Sequence, residues 1–335
     1  MPKEDFIHGQ SKVEDFWKFI NDRHAIYLKR KAGELKPWSD DLIFQEWKFT
    51  NVFRELDRGT IVLRRMLKQL YAEYIERQSS KLFPDWAPDK IKADDNAKRF
   101  NSSNYIRNQF ITCILYRMFN WHGNAKFGPI DNPTAWYKYL RNKQDNGDQI
   151  FGGAYILPSY KGEEKLVTFE RVCRNIVKVL DQLIWSIQDK NTLEHTWNLL
   201  NTVKHIGPFI SYEFVCDLRY TDILRNATDT CTWCNIGPGA ERGLQRMGLN
   251  VTLESIIKLF SLSGNDLTSS NIDGKYSMDQ SHWIWGHKKI EHKYARNIQY
   301  PYWELREIEH CLCEFDKYER IRLGQGGSKV KFSGV

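Results

Sequence analysis

The stretch from Thr202 to Leu218, TVKHIGPFISYEFVCDL, carries the spacing with the clearest chemical use. A helix is expected to end near Val203 and a short turn carries Gly207. Pro208 then stands at the start of a second helix, a position that tolerates its missing N–H. A tight turn beside a helix N-terminus points backbone N–H groups at an anion. The arrangement therefore suits a DNA phosphate, with Lys204 and His205 adding charge; a plain connection between two helices is the alternative. A second glycine turn, Gly237, Pro238 and Gly239, leads into AERGLQRM, where Arg242 and Arg246 lie one turn apart on one helical face. Amide groups plus two guanidiniums make a phosphate clamp, or the segment is a structural turn.

Further polar groups gather in FTNVFRELDRGT, Phe49 to Thr60, which offers Asn51, Arg54, Glu55, Asp57 and Arg58 on one short segment. Arg54 and Arg58 are one helical turn apart, as are Asn51 and Glu55. Such a face can hold a base edge through its amide and a phosphate through its guanidiniums. It can equally be a buried ion network. Glu309 and Asp316 lie two turns apart near the C-terminus and share a helical face, so both are candidates to enter a pocket.

The cysteines and histidines do not add up to a metal centre. Cys231 and Cys234 are spaced C-x2-C and Cys311 and Cys313 C-x-C, which fits neither a zinc nor a cluster pattern. His282, His287 and His292 recur every five residues, the wrong period for one helical face. No metal and no cofactor are expected. WIWGHKK, Trp283 to Lys289, interleaves rings with cations and either contacts DNA as a wedge or packs in a core. No GxxxxGK[ST] phosphate loop is present, which argues against kinase activity. No GxSxG, HExxH or dinucleotide fingerprint is present either.

These groups sit in 335 residues with 49 Lys and Arg against 42 Asp and Glu. The resulting net charge of +7 is compatible with a polyanionic partner. Twelve Trp, 16 Tyr and 18 Phe exceed what one binding site can use, so most must build a core. No apolar run follows Met1, and no stretch approaches the roughly 18 apolar residues of a membrane span. A cytoplasmic location and reduced thiols are expected, with no membrane association and no obligate protein partner.

The elements that must position these residues read as helices. Apolar residues recur at helical spacing over 11–30, 60–77, 104–119, 169–188, 193–203, 208–218, 239–247, 252–262 and 303–322. Short strands are expected around Ala154–Leu157 and Lys165–Thr168. The glycines of 141–165 mark the best boundary or lid. The fold class is mainly α with small irregular or β insertions. Three consecutive regions are expected: 1–150, 151–262 with the hairpin, and 263–335 with the last helix and a basic tail that pack back on the core.

Asp229 follows Gly207 by about twenty residues, the distance at which helix-hairpin-helix DNA glycosylases place a catalytic aspartate. The resemblance implies a carboxylate that stabilises a cationic sugar and orients water; a cap for a helix or turn is the alternative. Bifunctional members carry a lysine early in the second hairpin helix, where Phe209 and Ile210 stand here. A water nucleophile is therefore expected. FTNVFRELDRGT, REIEHCLCEFDKYER (Arg306 to Arg320), LYRMFN (Leu115 to Asn120) and TWCNIGPGAERGL together resemble the α-glutamyl/putrescinyl thymine pyrophosphorylase family. That family includes the helical domain attached to phage 5-hydroxymethyluracil DNA kinases and is related to the helix-hairpin-helix glycosylases. The resemblance implies a glycosylase-like helical fold and duplex DNA with modified bases as partner. Catalytic candidates are then Asp229, Glu55, Asp57, Glu309 and Asp316. Lys204, His205, Gly207, Gly237, Gly239, Arg242 and Arg246 would contact DNA. A base pocket would form from Asn51, Arg54, Arg58, Trp233 and Asn235. Cys234 stands where the family has a small residue. The expected activity is excision of a flipped-out, hypermodified or glycosylated pyrimidine to leave an abasic site, in antiphage defence. The alternatives are a transferase that displaces pyrophosphate from phosphorylated 5-hydroxymethyluracil in DNA, and a non-catalytic DNA-binding adaptor.

Overall fold

The structure, a computed structural model, describes residues 11–82, 102–153, 157–262 and 303–326. Among these residues every regular element is helical. By contact density the chain divides into one unit of Met1–Asp57 with Thr230–Val335 and a second of Arg58–Asp229. The cuts fall at 57/58 and 229/230, whereas the linear reading draws boundaries at 150 and 262. A helix near the C-terminus that packs on segments near the N-terminus leaves no trace in local composition.

The first unit contains α1 (Val13–Lys31), α2 (Leu42–Glu46), a 3-10 turn (Arg54–Leu56), α9 (Pro238–Arg246), α10 (Leu253–Leu262) and α11 (Leu305–Arg322). Helix α11 is its axis, with α9, α10, α1 and α2 all packed on it. Contact with α9 is closest, because Gly239 and Gly243 present no side chain to α11. A Cβ on Gly239 would lie 2.8 Å from Cys313 Sγ, and one on Gly243 only 2.5 Å from the Leu312 carbonyl oxygen. On the other flank the rings of Phe16, Phe19, Phe44, Phe49, Phe315 and Tyr318 pack edge-to-face and stacked, with centroids 5.2 to 6.1 Å apart. These geometries suit the ring quadrupole and tie α1 and α2 to α11.

The second unit runs through α3 (Arg58–Leu82), α4 (Ser102–Arg117), a 3-10 turn (His122–Phe127), α5 (Pro133–Asp145), α6 (Lys165–Lys190), α7 (Leu193–Asn201) and α8 (Pro208–Leu218). Helix α4 is central and packs on α3, α6 and α8. Helix α8 is buried at every position from Ile210 to Leu218, as an interior helix that is apolar nearly all round must be. Helix α5 escapes the periodicity reading because a polar face dominates its 13 residues; its signal is Asn132, which caps it, followed by Pro133 at the first position.

One expected strand is corrected. Lys165–Thr168 opens α6 instead. Its Val and Thr suggest a strand, but Leu166, Phe169, Val172 and Cys173 fall on one helical face and are all buried. The other expected strand falls largely on 154–156, outside the described residues, as do Trp283–Lys289 and His282, His287 and His292.

Candidate functional site

In the first unit the 49–57 segment folds as an extended loop with a single 3-10 turn, laid against α11. Thr50 Oγ1 lies 2.9 Å from His310 Nε2, and that ring nitrogen is also 3.1 Å from the Asn51 carbonyl oxygen. The Thr50 amide donates to Glu314 (3.1 Å), and the Cys311 thiol donates to the Val52 carbonyl oxygen (3.8 Å). The two segments that carry the family resemblance most clearly, some 250 residues apart, are thus one substructure.

Asn51 is fully engaged in holding the loop. Its Nδ2 donates to the Leu56 carbonyl oxygen (2.8 Å) and to Asp57 (3.1 Å), while its Oδ1 accepts from Arg23 (2.9 Å). Loss of water raises the Asp57 carboxyl to about 6, against the lowering influence of the Asn51 amide, Arg54 and Arg23. Burial likewise lowers Arg23 to about 10. Arg54 and Glu55 are buried, and Glu55 accepts from Arg306. Arg306 also pairs with Glu304 (3.3 Å) and Glu307 (3.0 Å), all of them interior. Glu307 is raised to about 8, by burial first and then by Glu55 and Glu304, with Arg306 opposing. Of the two uses the sequence left open for this segment, a base-reading face and an ion network, the network is what forms. Arg58 is exposed and opens α3 in the second unit.

The clamp expected from Gly237, Gly239, Arg242 and Arg246 takes a different form. The Gly237 amide donates to Glu309 (3.3 Å), and Gly239 lies against Cys313. Arg242 and Arg246 both turn to Asp316, at 2.9 and 2.8 Å, and Arg320 joins them at 3.2 Å. Asp316 is buried and held by three guanidiniums. Glu309 also accepts from the Cys313 thiol (3.5 Å). Trp233 and Asn235 are partly exposed in the loop before α9, and Cys234 beside them is buried.

In the second unit Asp229 caps α7. Its two oxygens accept from the amides of Leu193 (2.7 Å) and Glu194 (3.0 Å). This is the capping alternative, with both oxygens engaged. Between α7 and α8 lies a short turn, with Gly207 as N-cap and Pro208 at the first position of α8. His205 is in the left-handed region (φ 72°) and sets its ring edge-on to Tyr160, 4.6 Å between centroids. Lys204, Gly207 and Phe209 are exposed, and space for a side chain is open at Gly207.

Sequence reasoning misses Arg306, Glu304 and Glu307, and in the second unit Arg117 with Asp217 and Glu213. Arg117 Nε donates to Asp217 (2.6 Å), its Nη1 lies 3.6 Å from Glu213, and all three are buried. The available signal was a lone arginine in the apolar run LYRMFN and two carboxylates one turn apart in an apolar helix. Such groups cannot be buried unpaired.

The family model described as 5-hmdU DNA kinase, helical domain, matches residues 10–78 and 99–327, which include all four motif segments. A 5-hmdU DNA kinase of Bacillus phage SP10 is 24% identical over 92% of this chain and 45% of its own length, so the chain spans less than half of that relative. No solved structure gives a significant match. With nearly all of the described helices inside the matched residues, the chain belongs to the 5-hmdU DNA kinase helical-domain family.

Proposed function

We propose that the chain acts on 5-hydroxymethyluracil-derived bases in DNA as a transferase. It replaces pyrophosphate on the base's 5-methylene group with an amine. The C–O bond to pyrophosphate breaks with the electron pair leaving on oxygen, a C–N bond forms, and the amine loses a proton. The glycosidic bond and the DNA backbone stay intact. The observation that carries this reading is the family match, together with the similarity to a phage 5-hmdU DNA kinase. The engaged carboxylate of Asp229 supports it against base excision, since excision by the expected route needs that group at the sugar.

Recognition in this reading uses the loop before α9. Trp233 supplies a ring face for stacking and Asn235 an amide for a base edge. A target base in a duplex must be extruded at about a few kcal/mol. The exposed hairpin at Lys204, Gly207 and Phe209 supplies a phosphate dock.

The test is a duplex oligonucleotide carrying a pyrophosphorylated 5-hydroxymethyluracil, incubated with the protein and a panel of amines, then digested for mass analysis. Release of pyrophosphate with an aminated nucleoside is expected. Free base in the supernatant would replace the transferase reading with the glycosylase one. Binding without either product would leave an adaptor.

A further inference from the structure

We infer that Arg242, Arg246 and Arg320 form a binding site for a phosphoryl anion, positioned by Asp316. Helix α9 contributes the first two arginines one turn apart, and α11 contributes Asp316 and Arg320 one turn apart. Each guanidinium meets the carboxylate through Nε: Arg242 and Arg320 at Oδ2 (2.9 and 3.2 Å), Arg246 at Oδ1 (2.8 Å). This leaves the Nη groups of Arg242 and Arg320 with no hydrogen-bond acceptor among the described residues. Arg246 Nη2 donates to Gln325 (3.0 Å), while its buried Nη1 has no acceptor among the described residues.

Charge decides between a staple and a site. Joining α9 to α11 requires one arginine per carboxylate. Here three positive groups surround one negative group, and neighbouring carboxylates are committed elsewhere. Glu319 holds Arg322 and Ser11, and Glu309 accepts from Gly237 and Cys313. The surplus is accessible, since the side chains of Arg242 and Arg320 are 43% and 33% exposed while that of Arg246 is 3% exposed. A buried donor without an acceptor is costly and calls for a ligand or ion. Planar guanidinium forks match phosphoryl oxygens, and a doubly charged anion balances the surplus. The carboxylate is a positioning group that holds three like charges together. Pyrophosphate as the ligand rests on the transferase reading; a DNA backbone phosphate offers the same phosphoryl oxygens with a single charge.

The experiment is arginine-selective labelling of the full chain with phenylglyoxal, read by peptide mass spectrometry, with inorganic pyrophosphate, with unmodified duplex DNA, and with neither. Arg174, exposed on α6, serves as control. We expect pyrophosphate to slow labelling of Arg242 and Arg320 at least tenfold and to leave Arg174 unchanged. Protection of the pair by DNA alone identifies the anion as a backbone phosphate and still supports the site. Equal labelling in all three conditions overturns it. Titration calorimetry with pyrophosphate on Arg242→Gln and Arg320→Gln should show Kd raised at least tenfold; unchanged Kd in both also overturns the site. Protection without pyrophosphate release from the modified oligonucleotide would keep the site and remove the transferase reading. Release without protection would do the reverse.

Discussion

Asp229 reaches across 36 residues of chain to cap Leu193, its Oδ1 accepting that amide at 2.7 Å. The Oδ2 takes the next amide, Glu194, at 3.0 Å. Thr192 adds a third acceptor for the amide of His195 (3.2 Å), so the first turn of α7 is satisfied by two side chains. Negative charge there also complements the helix dipole.

Asp229→Ala should therefore act on stability. Loss of a cap of this kind costs about 0.5–2 kcal/mol, which lowers the thermal midpoint by a few degrees. Activity at a temperature where the variant is fully folded should stay within about threefold of wild type. A fall of two or more orders of magnitude in a folded variant would mean that the carboxylate leaves its cap during turnover and takes part in the chemistry.

Glu307 ties stability to pH. Its carboxyl lies at about 8 in the folded chain against an ordinary value of 4.5. The native state therefore holds a proton that the unfolded chain has lost. Stability from this group is complete below about 4.5, falls as pH rises towards 8, and is flat above. Glu307→Gln keeps the shape and removes the charge, while Arg306 retains Glu55 and Glu304 as partners. The variant should match wild type near pH 4.5 and become progressively the more stable of the two as pH rises to 9. Urea denaturation from pH 5 to 9 checks this; parallel curves for the two proteins would show that Glu307 stays ionised.

The helices were legible where one apolar face recurs, as in α6 and α10, because burial of that face is what creates both the pattern and the helix. The hairpin was legible too, since Gly207 and Pro208 act locally. The partners of the charged groups were not. Asn51, Glu55 and Arg54 look alike whether they face a base or one another, and the deciding group, α11, lies about 250 residues away. Asp229 was not decidable for a related reason. A capping aspartate and a catalytic one have the same sequence signature, and only the position of the Leu193 and Glu194 amides separates them. Gly239 and Gly243 read as turn and helix residues, whereas their use is close approach to α11.

That close approach is testable at Gly243. Alanine favours a helix interior by about 1 kcal/mol over glycine. Against this, its Cβ would sit 2.5 Å from the Leu312 carbonyl oxygen, a backbone atom that can move only with α11 itself. Overpacking of this kind costs about 1–3 kcal/mol, so Gly243→Ala should be net destabilising. It should also weaken pyrophosphate binding, because Arg242 and Arg246 ride on the same helix. A variant as stable as wild type would show that α9 and α11 are packed more loosely than described.

The hairpin gives the most direct test of DNA docking, because its exposed groups can be changed without touching the core. Lys204 is exposed, with its carbonyl oxygen bound by Asn175 (3.0 Å), so the turn backbone is held while the side chain is not needed for the fold. Gly207 is exposed, with open space where a side chain would grow. Its φ of −98° suits any residue. Lys204→Glu and Gly207→Glu should therefore keep the thermal midpoint within a few degrees. Each places negative charge beside the amides at the start of α8, where a phosphate would sit. Affinity for duplex DNA should fall about tenfold or more in each, equally for different sequences, since phosphates carry no sequence information. The log–log slope of affinity against salt should become shallower by about one in Lys204→Glu, because one counterion fewer is released. Fluorescence anisotropy at several salt concentrations measures both quantities. Unchanged affinity and slope in both variants would remove the hairpin from DNA recognition, and the exposed Phe209 beside it would then need another explanation.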